Sequence, residues 1–303
     1  MNGQNNADSH LPSFIPPASP NDRKGWKNGG EGMNDSENSS SYNTPPSTIG
    51  PDGEGGPASP EPRQARSVMV KMPDKKPVVT YALIIVTILV YLLQLSSQYL
   101  LGEDYPALLG LKINELIIKG QYWRLISPIL LHGSILHLAV NMYALNVFGP
   151  TLEKTYGKWR FLTLYLIGGL GGNVVSFIFS TKASLGASTA IFGLLGAEGV
   201  FLYQNKKLFG SSAQRALINI VTIAVINLVI GLSPGIDNWG HVGGLLGGTL
   251  FSWFAGPILQ VEGIFPSLKL VDGRESRAVW QAGIMVSLIF IGLVAGVIYF
   301  RGG

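Results

Sequence analysis

Trp239-Gly240-His241-Val242-Gly243-Gly244 opens an apolar segment that runs to Pro257, and Gly248 extends the Gly240/Gly244 series at four-residue spacing. Residues four apart share one face of a helix. Three glycines there leave that face bare, so the backbone of a neighbouring helix can approach closely. A helix built this way, with a histidine in its first turns, predicts a close-packed bundle in a bilayer.

Six further apolar segments surround it, and about 20 such residues suffice to cross a bilayer. The seven spans predicted are Val79–Tyr99, Ile135–Gly149, Phe161–Ser180, Ser188–Tyr203, Ala216–Leu232, Gly240–Pro257 and Val279–Phe300. Only 13% of the 303 residues are charged, and these gather between the spans. The expected fold is therefore all-α, a polytopic membrane helix bundle. Residues 77–258 would form a six-span core, and 259–303 a loop and a seventh helix.

Residues 1–76 are rich in Pro, Gly, Ser and Asn and show no apolar periodicity. Such a segment buries too little to offset its ordering entropy, so a disordered cytoplasmic tail is expected; a small folded domain is the competing reading. It contains no signal-peptide apolar core, and no organelle presequence is evident, which points to a bacterial plasma membrane. Residues Leu101–His132 mix polar and aliphatic side chains, as a piece lying in the membrane interface would.

Loop charge sets the orientation. With the N-terminus in the cytoplasm, the inner segments hold fourteen basic residues, among them Lys154, Lys158, Arg160, Lys206, Lys207 and Arg274. The outer ones hold Lys112, Lys119, Arg124, Lys182 and Arg301. The positive-inside rule favours this arrangement, with the C-terminus outside. A formal charge of +4 without a clustered basic face argues against nucleic-acid binding. Cysteine is absent, which excludes thiolate catalysis and Cys-ligated zinc; no cofactor or metal is called for.

Parity of the spans then brings polar groups together. The second, fourth and sixth spans all start on the outer side, and their first turns carry His137 with Asn141, Ser188, and His241. Taken singly, each has a structural reading. Ser188 could be an N-cap or a small packing residue, His241 an interhelical hydrogen-bonding group, and His137 with Asn141 polar packing. Their common depth favours a site. Ser188 at a helix start lies beside free N–H groups that would stabilise an oxyanion. His241 could accept its proton, and His137 and Asn141, on one helix face, can both donate hydrogen bonds.

Several motifs resemble the rhomboid family of intramembrane serine proteases. His132-x4-His137-x3-Asn141 is similar to its second-helix pattern, Trp123-Arg124 to its first-loop signature, and Gly186-Ala187-Ser188 to its nucleophile motif. Gly240-His241-x-x-Gly244 is similar to its histidine motif, and Glu153 falls where the family often has an acid. The resemblance implies a Ser188–His241 dyad and an oxyanion site of the Ser188 N–H, His137 and Asn141. Phe192 would pack on His241, and Trp123 and Arg124 would brace the first loop. It also implies single-pass membrane protein substrates and contact with lipid, leaving oligomeric state unspecified.

One residue departs from the pattern. Thr189 follows the nucleophile where the family commonly has glycine. It could narrow the substrate pocket or mark a non-cleaving pseudoprotease; the kept dyad favours activity. A channel or transporter is the remaining alternative. It is opposed by the lack of internal repeats and by polar groups at the outer ends rather than the midplane. No His-Glu-x-x-His zinc motif or intramembrane aspartate pair is present.

Overall fold

The glycine series places its helix at the centre of the structure, a computed structural model that describes residues 76–264 and 267–302. The call on the tail, residues 1–76, lies outside the described residues except for Lys76. All seven expected spans are helices: α1 (Val78–Leu101), α4 (Ile135–Tyr156), α5 (Lys158–Phe179), α6 (Ser188–Gln204), α8 (Ser211–Ile230), α9 (Asn238–Ala255) and α10 (Ser276–Gly302). Short helices α2 (Tyr105–Gly110), α3 (Asn114–Ile118) and α7 (Lys206–Phe209) lie between them.

Helices α5, α6 and α9 form the centre, and α1, α4, α8 and α10 surround it. Five helices (α1, α4, α5, α8 and α10) are long and apolar enough to cross a membrane by length and composition alone. The other two are central. Helix α6 has 17 residues and α9 has 18 with a polar first turn, about 26 Å at about 1.5 Å per residue. Helix α6 is enclosed by protein over most of its length, and α9 buries its glycine faces while exposing Leu246, Leu250 and Trp253, so both differ from spans that lipid surrounds. The outer faces of α1, α8 and α10 expose rows of Leu, Ile and Val, as lipid contact requires.

The hydrophobic effect offers little between helices already in lipid, so close packing must hold the centre together. Glycine supplies it. A Cβ on Gly244 would collide with the Thr189 carbonyl, and one on Gly248 with the Gly193 carbonyl, so the expected bare face of α9 meets α6. A second glycine face was not anticipated: Gly243 lies against the Gly171 carbonyl of α5, and Gly247 against that of Ile167. The Phe290 ring of α10 fills the recess left by Gly171 and Gly247.

Two boundaries differ from expectation for physical reasons. Helix α4 continues through Pro150 for two further turns. Gly149 lets it press against Thr80 of α1, and Glu153 then caps α1, accepting from Val79 N (2.8 Å), Thr80 N (2.7 Å) and Thr80 Oγ1 (2.7 Å). The loop expected after α9 contains an antiparallel hairpin, β1 (Leu259–Glu262) with β2 (Lys269–Asp272). Arg160 of α5 pairs with its Asp272 at 2.7 Å, and Arg274 donates to Gly256 O at 3.1 Å.

Candidate active site

Helices α4, α6 and α9 start at one end of the bundle, and the loops there decide where their first turns lie. The chain enters α6 through Gly186, whose φ of +129° is a backbone conformation that L side chains rarely adopt. Its N–H donates to Pro128 O at 2.9 Å. Just upstream, Ser184 and Lys112 exchange both backbone hydrogen bonds (3.0 and 3.2 Å). The loop before Ser188 is thus fastened at two points to the long loop between α1 and α4.

That long loop is more ordered than an interfacial amphipath needs to be. Arg124 is buried and donates to Leu111 O (2.7 Å), Leu108 O (2.8 Å) and Gln121 Oε1 (2.7 Å). Trp123 Nε1 donates to Leu109 O at 3.0 Å. Both residues lie within the loop scaffold, away from Ser188. Lys112, counted as an outer-loop charge in the sequence, is fully buried; its Nζ lies 3.3 Å from Ser180 O at the end of α5. Burial lowers its pKa to about 8.

Helix α9 is started by Asp237, whose Oδ1 accepts from Gly240 N at 3.1 Å, an N-cap one turn before His241. Its other oxygen takes the Ser176 hydroxyl of α5 at 2.5 Å. His241 Nε2 lies 3.0 Å from Ser188 Oγ. The ring stacks on Phe192, one turn into α6, with centroids 4.2 Å apart and planes 9° from parallel. His241 Nδ1 is buried without a partner among the described residues, so no carboxylate orients the ring. Phe192 does so by its flat face. Ser188 is half-buried and His241 is 8% exposed.

His137 reaches the same place from α4. A Cβ on Gly186 would lie 2.8 Å from His137 Nε2 and 3.7 Å from Ser188 Oγ. Glycine at 186 therefore keeps open the space into which Ser188 and His137 both point. Asn141, one turn deeper, is buried and donates one amide hydrogen to His137 O at 3.0 Å, leaving the other for a second acceptor. Gly240 and Gly244 carry no side-chain chemistry; both press against Thr189.

Thr189 itself does not face the space by Ser188. Its methyl and Cβ pack between Gly172 of α5 and Gly240 of α9, where a Cβ on Gly172 would be only 2.5 Å from Thr189 Cβ. Its side chain thus occupies the seam between α5 and α9 rather than the space into which His137 points. The helix turns the side chain after Ser188 into the seam, and Gly172 makes room for it.

Sequence reading missed Gln94 and gave His132 a place in a motif but no role. Gln94, inside α1, accepts from His132 N (3.0 Å) and donates to His132 O (3.3 Å) and Asp104 Oδ2 (2.8 Å), fixing the chain just before α4. A glutamine flanked by leucines inside a first span was the available signal. His132 is buried edge-on to His137, ring centroids 5.0 Å apart. Burial and then its histidine neighbour lower its pKa to about 4. Among the described residues, no three His, Asp or Glu side chains converge as a metal would require.

Comparison with known proteins adds an independent line. The sequence model of the Rhomboid domain matches residues 119–258. Over 220 residues the chain is 40% identical to Rhomboid protease GluP of Bacillus subtilis (strain 168), covering 72% of this chain and 41% of that protein. It is 33% identical over 218 residues to RHOMBOID-like protein 7 of Arabidopsis thaliana, covering 68% and 69% respectively. With RHOMBOID-like protein 5 of the same plant it shares 42% over 159 residues, 51% of each chain. The chain thus spans about half or less of the length of two of these three relatives.

Proposed function

The chain belongs to the rhomboid family, and on that premise we propose that it is a serine endopeptidase cutting single-pass membrane proteins within the bilayer. One observation carries the reading: the 3.0 Å contact between Ser188 Oγ and His241 Nε2, with His241 clamped flat on Phe192.

In the proposed reaction, His241 Nε2 accepts the Ser188 proton as Oγ attacks the scissile carbonyl. The negative charge that forms on the carbonyl oxygen falls beside the first turn of α6, whose N–H groups lack intrahelical acceptors. His137 Nε2 and the unengaged Asn141 amide hydrogen add donors from α4. His241 returns the proton to the leaving amine, leaving an acyl-enzyme. Water, deprotonated by the same nitrogen, resolves it and regenerates Ser188. With Nδ1 lacking a carboxylate, the imidazolium formed in each step is stabilised less than in a Ser-His-Asp triad.

The side of the membrane follows from charge. The end opposite Ser188 carries Lys154, Lys158, Lys206 and Lys207, and the positive-inside rule puts that end in the cytoplasm. Cleavage would then occur near the outer face, with the N-terminus inside and the C-terminus outside. The packing of Thr189 against Gly172 and Gly240 supports a cleaving member over a non-cleaving one.

The test is labelling by a fluorophosphonate probe together with cleavage of a panel of single-span substrates by purified protein in detergent. Wild type should label and cut. Ser188→Ala should do neither, and His241→Ala should do neither at a measurable rate. Equal cleavage by wild type and Ser188→Ala would refute the assignment.

A further inference from the structure

The seventh helix touches the core along one stripe only. Ala282, Val286, Phe290 and Val294 are buried against α5 and α9, while the adjoining face of α10 stands clear of the turn between α4 and α5. A groove of about 560 Å³ results. Its walls are the first turns of α5, including Lys158, Trp159 and Thr163, and the face of α10 that includes Trp280, Gly283 and Leu288.

We infer that this groove holds one acyl chain of an anionic phospholipid, with the phosphate at Lys158. Four observations carry the assignment. The groove lies at the end of the bundle away from Ser188, because α5 and α10 start where α6 and α9 finish. From Ser276 to Leu288 it extends about 18 Å at about 1.5 Å per residue, close to one leaflet of a hydrocarbon core about 30 Å thick. Trp159 and Trp280, 67% and 68% exposed, stand at its mouth, as side chains at the headgroup level do.

The charge at the mouth chooses the headgroup. Arg160 is engaged by Asp272 at 2.7 Å. Lys158 has no acidic partner among the described residues, and its Nζ lies 5.5 Å from the centre of the Trp159 ring. One unneutralised cation beside an apolar slot fits a phosphate on a lipid tail.

Native mass spectrometry of the full chain, titrated with phosphatidylglycerol or phosphatidylcholine of identical chains, tests this. Wild type should retain one phosphatidylglycerol in preference to phosphatidylcholine, and glycerol phosphate without chains should not be retained. Lys158→Ala, at an exposed position, should reduce the preference about fivefold, the effect of one basic residue near an anionic surface. Gly283→Leu should lose both lipids. A Cβ there meets only Thr163 and Phe251, at the ordinary contact distances of 3.7 and 3.8 Å, and an unchanged melting temperature would verify that the fold accepts the leucine. Equal retention of the two lipids, an unaltered preference in Lys158→Ala, or wild-type retention by Gly283→Leu would each overturn the inference. So would displacement of the lipid by a single-span peptide, which would make the groove a client site.

Discussion

Replacing Phe192 by leucine isolates what orients His241, the proposed general base. The ring faces His241 at 4.2 Å and 9°, and no hydrogen bond holds His241 Nδ1. Aromatic pairs of this kind contribute about 0.5–1.5 kcal/mol beyond burial. Leaving a side chain free to rotate forfeits about another 0.5–1.5 kcal/mol of ordering that must be supplied at the transition state. Together these raise the barrier by about 1–3 kcal/mol, a slowing of about 5- to 150-fold at about 1.4 kcal/mol per tenfold. Leucine keeps much of the volume, so stability should fall by less than about 1.5 kcal/mol. The assay is the rate of Ser188 labelling by a fluorophosphonate, which bypasses substrate docking, read beside kcat on a model substrate. Both should fall together, and Phe192→Tyr, which keeps a flat face, should recover most of the loss. Wild-type labelling by a folded Phe192→Leu protein would refute the idea that stacking stands in for a carboxylate.

Three other outcomes are expected. Glu153→Ala strands the N–H groups of Val79 and Thr80 and the Thr80 hydroxyl; at about 1–3 kcal/mol per buried unsatisfied donor, the melting temperature should drop by about 10 °C, with Glu153→Gln recovering part. Thr189→Gly should leave Ser188 labelling about unchanged while lowering stability by about 1–2 kcal/mol, because the side chain fills the seam with Gly172 and Gly240; a large rate change measured on the folded variant would count against this placement. His132 is held neutral by burial, its pKa lowered from 6.5 to about 4. Its stability contribution is thus full above pH 6.5 and lost as pH falls through 4, about 3 kcal/mol in all at about 1.4 kcal/mol per unit. Melting curves between pH 7 and 4 should show a steeper fall for wild type than for His132→Phe; parallel curves would exclude His132 as the cause.

The spans were legible because a bilayer forces long apolar runs. Even the shorter α9 could be read, since its glycine spacing signals a face packed closely on a neighbouring helix. Ser188, His241, His137 and Asn141 could be singled out because parity of the spans puts three chain-distant first turns at one depth. What could not be read was direction within a helix. Whether Thr189 faces the nucleophile or the seam depends on the rotation of α6, which Gly172 and Gly240 settle from two other helices. The burial of Lys112 was equally hidden, since a lysine in a polar loop gives no sign that it will cap the end of α5. The β1–β2 hairpin was missed because its four-residue strands are too short to declare themselves against a loop.

The meeting of Gly244 and Gly248 with the carbonyls of Thr189 and Gly193 has a mechanical consequence. At most helix contacts the separation is padded by side chains, and it varies over about 8–10 Å with their size. Along this junction the padding is gone, and one peptide backbone rests directly on another. The interval between Ser188 and His241 is therefore gauged by bond lengths and helix pitch, which no rotamer change can adjust. Lipid-facing positions on α1, α8 and α10 can then drift in sequence without altering that interval, whereas a single methyl group added in this junction resets the gauge.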